Sequence, residues 1–405
     1  METIPSSKVE VADIFVAFGE KYRNEHKLPL HHRNAMFAIE HCRTAALGGH
    51  IECCDSCGHK LIFFNSCRNR HCPKCQGLSR IKWMDKLSCG LLPVRYFHIV
   101  FTIPSELNRL VLVNQKCLYD ILFKAASESL QTLAKDPKHI GVDTGLVAVL
   151  HTWGQNLMEH PHLHTIVPAG GWSNIAGCWK HSKKKYFINV KVISEVFRGK
   201  FLSFLKQAYR DGQLKFEGEI KPLALKRNFK QLLDTIYEKK WVVYAKDPFK
   251  NASQILKYLG RYTHRVAISN NRILSMNDQS VSFKWKDYKD HDRQKIMTLE
   301  GKEFIRRFLL HILPKGFCKI RYFGIFASRN KKTMLTKCNK SLGYRIAKSK
   351  FTGLSWQESL LLVAGINVCV CPLCKKGKMA AIASFKGNRG PPDYIFGKQI
   401  RTIKC

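Results

Sequence analysis

Acid is what this sequence is short of. Asp and Glu together number 30 against 68 Lys and Arg, a formal net charge of +38 over 405 residues. Between Glu303 and Glu358 there is no acidic residue at all. So lopsided a balance costs self-repulsion and argues against an enzyme of small metabolites. The natural partner is a polyanion, which cationic side chains bind with release of counterions. Long hydrophobic runs are also lacking, and none approaches the roughly 20 apolar residues of a spanning helix. The first residues, Met1-Glu2-Thr3-Ile4-Pro5, lack the charged-then-apolar layout of a secretory signal. These absences predict a cytoplasmic protein that meets no membrane. Internal repeats and low-complexity segments are absent too. The basic residues are interleaved with Trp, Tyr and Phe along the chain, an arrangement that suits nucleic acid better than a lipid surface.

The 45% hydrophobic content suffices for one large domain or a few smaller ones. Sixteen cysteines in a reducing compartment point to metal before disulfides. Cys54 and Cys57, then Cys72 and Cys75, form two Cys-x-x-Cys pairs fourteen residues apart. Together they are expected to give one tetrahedral Zn2+ four thiolates. Cys67 and His71 are placed well enough to allow a mixed set or a second ion, and Cys53 is the weakest candidate. Near the other end, Cys369, Cys371 and Cys374 make a second knuckle without a clean partner pair, which Cys318, Cys338 or Cys405 could complete.

Periodicity predicts helices from Val9 to about His50, stopped at Gly48-Gly49, and again from Leu78 to Leu92. Strands are expected over Arg95 to Pro104 and Gly145 to Trp153, with a helix over Ser105 to Leu133 between them. Helices follow over Phe197 to Tyr209, Phe229 to Lys239 and Ser253 to Thr263. Strand-like stretches cover Val266 to Ile268 and Ser280 to Trp285. The alternation lacks a strict parallel rhythm, so the class is α+β. The expected division is a helical and zinc-binding part over 1–92, a catalytic part over 93–300 and a basic region with the cysteine knuckle over 301–405.

Within the catalytic part, His162 and His164 lie one residue apart in a β-branched, strand-like run, so both imidazoles face one side. That geometry can grip a metal ion. Gln155 is the preferred third ligand, with His160 and His98 as alternatives. Tyr258 and Tyr262 are four residues apart, one turn on a helix, and can offer both phenols to one site. Lys257, Arg261 and Arg265 supply a cationic neighbourhood that favours phenolate. Arg68, Arg70, Arg321, Lys331 and Lys332 are further candidates for phosphate contact, with Tyr322, Phe323, Phe326 and Tyr344 among the charges for base stacking. An HxHxD metallo-hydrolase is disfavoured, because Ile166 stands two residues after His164. A zinc-dependent DNA-binding regulator would explain charge and cysteines but leaves the tyrosines without a role, and a plasmid-type replication initiator would share the chemistry.

Several of these runs together resemble the IS91-type transposases, a rolling-circle group in the HUH nuclease superfamily. The resemblance rests on Cys42 to His50, Ser66 to Gln76, Tyr96 to Thr102, His160 to Val167 with Gly170-Gly171, Tyr258 to Arg265, Arg321 to Gly324 and Cys371-Pro372-x-Cys374. It implies an HUH-type central antiparallel sheet with flanking helices, the two histidines on a middle strand and the tyrosine helix packed against it. It also implies Mg2+ or Mn2+ on His162 and His164, a tyrosine attack that leaves a 5′-phosphotyrosine, and two successive transesterifications by the two phenols. The implied partners are single-stranded and hairpin-forming DNA at element ends, and target DNA.

Overall fold

Apolar side chains at helical spacing start the chain. A computed structural model describes residues 9–182, 187–249, 254–255, 267–287, 290–387 and 400–402. Val11, Ile14 and Phe15 form the buried stripe of α1 (Val11–Glu25), which packs on α2 (Leu30–Glu40). The expected helical run ends there. Gly48, anticipated as a stop, opens β1 (Gly48–Cys54), which turns back into β2 (Lys60–Phe64). The helix α3 (Gly77–Ser88) precedes β3 (Tyr96–Thr102).

The single helix expected over Ser105 to Leu133 is divided at Asn114 into α4 (Asn108–Val113) and α5 (Gln115–Lys135). The Asn114 side chain bonds the backbone of Lys215 in both directions, accepting from its N–H at 2.7 Å and donating to its carbonyl at 2.9 Å. Asparagine that serves a neighbouring backbone in this way competes with helix continuity. Next come β4 (Gly145–Trp153), β5 (Glu159–Pro168) and the ribbon β6 (Gly170–Ser173) with β7 (Cys178–His181). Gly170 is required in that ribbon: its φ is +145°, and a Cβ there would lie 2.2 Å from the carbonyl oxygen of Lys180. The long α6 (Val190–Arg210), α7 (Lys226–Glu238) and β8 (Val243–Phe249) follow.

Ala267 and Ile268, expected in a strand, lie in a bend. The strands β9 (Ile273–Met276), β10 (Ser280–Asp287) and β11 (Arg293–Glu300) form a small sheet that leads into α8 (Gly301–Leu309). The remaining elements are β12 (Ile320–Gly324), α9 (Met334–Ser341), α10 (Trp356–Ala364), β13 (Met379–Lys386) and β14 (Ile400–Thr402).

The central sheet has the order β12-β4-β5-β3-β8 with every neighbouring pair antiparallel. Period-two alternation gives it two different faces. Phe97, Ile99, Phe101, Leu146, Leu150, Leu163 and Val167 enter a large core with α5 and α6. On the other face, Tyr96, Val147, Val149 and Ile166 cluster with Leu335 and Ile255. A third core joins α1, α2 and α8 to the β9–β11 sheet, where Phe15 meets Phe308 and Phe283 meets Phe304 edge to face.

The expected boundaries are crossed twice. β12, assigned by sequence to the basic C-terminal region, completes the central sheet through pairs from Ile320↔Val149 to Gly324↔Gly145. β13 pairs with β1, so the C-terminal knuckle joins the N-terminal module in the sheet β14-β13-β1-β2. Part of the long acid-free segment is thus built into the central sheet.

Leu163 is fully buried on β5 between the two histidines, facing the helix-packed core. Leu163→Ala is expected to cost about 2–5 kcal/mol, read as a lower urea midpoint with an unchanged slope.

Candidate metal centre

The β4–β5 hairpin brings a third histidine beside the expected two. Its register sets His151 opposite His162 and Val149 opposite His164. All three imidazoles therefore project from the same face, and their ligand nitrogens lie within 4.8 Å of one another. His162 Nε2 and His164 Nε2 are 3.1 Å apart. That is the spacing of two adjacent donors on one ion with metal–nitrogen bonds of roughly 2.0–2.1 Å. Gln155, the expected third ligand, lies in the hairpin turn just past the strand that carries His151 and lines a cleft of about 410 Å3 with Arg80, Trp153 and Arg272. His160 and His98 are not among the three clustered histidines.

Those two histidines hold the trio instead. His162 Nδ1 lies 2.5 Å from the carbonyl oxygen of His160, so a proton on Nδ1 would leave the Nε2 lone pair directed at the site. His98, on β3, brings its Nε2 within 2.9 Å of His164 Nδ1, and the two rings stack nearly parallel. Such outer partners fix the tautomer and orientation of metal-binding imidazoles. Burial pushes His162 down to about 3, and the neighbouring His160 adds to the effect. His164 is likewise held well below the ordinary histidine value, first by burial and then by His151, His162 and His98. Both rings are neutral at physiological pH, the form that ligates.

The hairpin turn that sets this register is clamped from outside. Three successive carbonyls accept from three separate side chains: Gln155 from Arg272 at 2.5 Å, Asn156 from Arg307 at 3.0 Å and Leu157 from His311 at 2.9 Å. Burial lowers His311 to about 4 against the opposing pull of its bond to the Leu157 carbonyl.

The cysteines sort into two clusters rather than the one expected. Cys42, Cys67, Cys72 and Cys75 form the first, and Cys54, Cys57, Cys371 and Cys374 the second. Cys54 and Cys57 thus do not share a site with Cys72 and Cys75. Sulfur separations are 3.4 Å for Cys42–Cys75, 3.6 Å for Cys67–Cys75 and 3.7 Å for both Cys54–Cys374 and Cys57–Cys371. A zinc tetrahedron with bonds of about 2.3 Å has edges of about 3.8 Å. The donor sets fit. Backbone N–H groups of Ser56 and Gly377 point at the sulfurs of Cys54 and Cys374. The amides of Gly377 and Lys376 lower the Cys374 thiol to about 6, toward the thiolate that zinc takes. A Cβ on Gly377 would come within 2.3 Å of the Cys54 sulfur, so only glycine permits this approach. No described cysteine is in a disulfide.

Two stretches of the chain match family models, one described as "Putative transposase" over residues 145–333 and one as "Transposase zinc-binding domain" over residues 14–103. Over 386 residues the chain is 46% identical to "Putative transposase y4qJ" of Sinorhizobium fredii (strain NBRC 101917 / NGR234), covering 95% of this chain and 97% of the relative. The chain belongs to the IS91-type transposases. It is also 30% identical over 295 residues to "Transposase for insertion sequence element IS801" of Pseudomonas savastanoi pv. phaseolicola, covering 71% of this chain and 68% of that protein. No solved structure matches. DNA is therefore the substrate, and the thiol clusters are structural zinc sites. Cys371 and Cys374 lie beyond both matched stretches, although the structure needs them for the second cluster. Among the described residues no helix is long and apolar enough to cross a membrane.

The expected phosphate contacts of this transposase fall into three groups. Arg68, Lys331 and Lys332 are exposed. Arg70 and Arg321 are held by the fold: Arg70 donates to the carbonyl of Phe317 at 2.7 Å, and Arg321 pairs with Asp120 and lies over the rings of Phe123 and Phe317. Arg261 and Arg265, with Tyr258 and Tyr262, lie outside the described residues.

Reduced, purified protein is expected to carry two structural zinc ions. Cys371→Ser should release one of them and raise hydrogen exchange over Gly48–Cys54, whose partner strand it unfastens. Retention of both ions would show that the second cluster is wrongly composed. For the histidines, His151→Ala should weaken Mn2+ binding by more than the roughly 10–100-fold typical of losing an outer partner, whereas Gln155→Ala should leave it near the parent value. Titration followed by electron paramagnetic resonance reads both.

Proposed function

We propose that this transposase moves its element by a rolling-circle route, cutting and rejoining one DNA strand at a time through a tyrosine. The observation that carries the reading is the face shared by three groups. His151, His162 and His164 converge on one side of the central sheet, and Ile255, three residues before Tyr258, is buried on that same side with Tyr96, Val149 and Ile166. Divalent metal bound by the trio would neutralise and polarise the scissile phosphate. Three nitrogen donors favour Mn2+ over Mg2+, which prefers oxygen.

In the reaction, the phenol of Tyr258 or Tyr262 gives up its proton and its oxygen attacks phosphorus. The bond from phosphorus to the 3′-oxygen breaks, and that oxygen leaves as a 3′-hydroxyl. The product is a 5′-phosphotyrosine, which keeps the phosphodiester energy for rejoining. Lys257, Arg261 and Arg265 favour the phenolate by charge. A second phenol allows a second transfer without an outside energy source. The substrates on this reading are single-stranded and hairpin-forming DNA at the element's ends and single-stranded target, met at the nucleoid.

With a single-stranded oligonucleotide from the element's own end and Mn2+, the parent chain should form a denaturation-resistant protein–DNA adduct. Tyr258→Phe and Tyr262→Phe should each retain some single-round cleavage while blocking complete strand transfer. The double substitution should give no adduct. DNA trapped on a peptide other than Ser253 to Arg265 would overturn the tyrosine assignment.

A further inference from the structure

The zinc-bearing module carries a surface that the cleavage chemistry does not use. β2 is an edge strand among the described residues, yet Ile62, Phe63 and Phe64 are all exposed on it, with Ile62 58% exposed. An exposed apolar edge invites aggregation unless something covers it. Here it forms one wall of a groove of about 1080 Å3, above the roughly 300–1,000 Å3 typical of small-ligand pockets. Phe37 from α2 and Trp356 at the start of α10 supply further rings, and Trp356 is 56% exposed. Arg33, Arg43 and Arg68 line the same groove, and no carboxylate does. Glu52, next to it, is engaged by His50 at 3.1 Å.

Two of those arginines hold an uncommon backbone. Arg43 has φ of 63° and Arg68 of 53°, in the left-handed region that side chains avoid. Strain of this kind persists where the surrounding structure imposes it and tends to collect at functional positions. Both arginines are exposed. Arg68 follows Cys67 and Arg43 follows Cys42, so the first thiol cluster fixes the two bends that aim them.

We propose that this groove is a binding track for single-stranded DNA, separate from the histidine centre: unpaired bases stack on Phe37, Phe63 and Trp356 while Arg33, Arg43 and Arg68 neutralise the phosphates. Phe37 already stacks on His41 and Phe63 on His50, so each can offer one remaining ring face, and Trp356 adds a third ring. Such faces fit unpaired bases, because a duplex keeps its bases stacked on one another. A cationic groove with aromatic platforms is how proteins hold single strands without reading sequence. The proposal rests on the reading that this transposase handles single strands, and places a second hold on the strand away from the cut.

The test uses full-length protein, a fluorescein-labelled oligothymidine and polarisation measurements over a range of salt. Phe63→Ala and Trp356→Ala should each weaken binding roughly 5- to 100-fold, while Phe63→Tyr and Trp356→Phe keep most of it. Arg33→Ala and Arg68→Ala should each lower the slope of log affinity against log salt by about 0.7. Zinc content should stay at the parent value in all of them, which separates lost stacking from lost folding. The alanine variants should still cut at saturating oligonucleotide. Unchanged oligothymidine affinity would overturn the groove while leaving strand cleavage intact as a separate matter. Loss confined to duplex binding would overturn it too, as would a change from dimer to monomer with DNA affinity unaltered, which would make the groove a contact between two copies. Should the parent chain bind oligothymidine through these residues and yet form no tyrosine adduct, the track stands and the cleavage reading falls.

Discussion

The histidine trio depends on one turn. A strand alternates its side chains, so His162 and His164 share a face by spacing alone, but nothing in that spacing provides a third donor. The register of β4 on β5 does, and register in a hairpin is set by the turn. Three carbonyls of residues 155 to 157 are held by Arg272, Arg307 and His311, which come from the segment before β9, from α8 and from just after α8. A slip of one residue would send His151 to the helix-packed core and leave two nitrogens where three now meet. The segments flanking the β9–β11 unit therefore support the site from the turn side.

The same logic explains why buried histidines are tolerated on this sheet face at all. An imidazole taken out of water must find hydrogen-bond partners or remain costly. His98 against His164 and the His160 carbonyl against His162 meet that need and at the same time fix which nitrogen faces inward. Burial keeps the rings uncharged. Desolvation and ligand readiness are one effect here.

The strands that carry the site were legible from their composition, and β4, β5 and β10 lie close to where periodicity predicts them. The HxH motif was legible for the same reason, because its information is local. His151 was not, since its role depends on a pairing across the hairpin. Gly154 and Asn156 in the turn carried the available signal, and a hairpin read there would have set His151 against His162. The thiol partners failed on a larger scale: Cys54 finds Cys374 across 320 positions, a closure that no local spacing rule reaches. The four cysteines nearest in sequence looked like one site because spacing was the only guide. Arg70 and Arg321 show a different limit of sequence. Charge count does not reveal that a guanidinium is held by a carbonyl or by Asp120 between two phenylalanines.

Charge and zinc meet in the N-terminal module. A sheet whose outer strand leaves Phe63 and Phe64 in solvent cannot draw much stability from burial, and small units with thin cores depend on another source. Thiolate coordination supplies folding energy directly. It also removes the need to bury the rings, so they are left on the surface beside Arg43 and Arg68. Joining β13 to β1 through the second cluster ties Cys371, Cys374 and the strand that follows them to that module. Anything that displaces the C-terminal knuckle must then loosen β1 and, through it, the strand that carries the exposed phenylalanines.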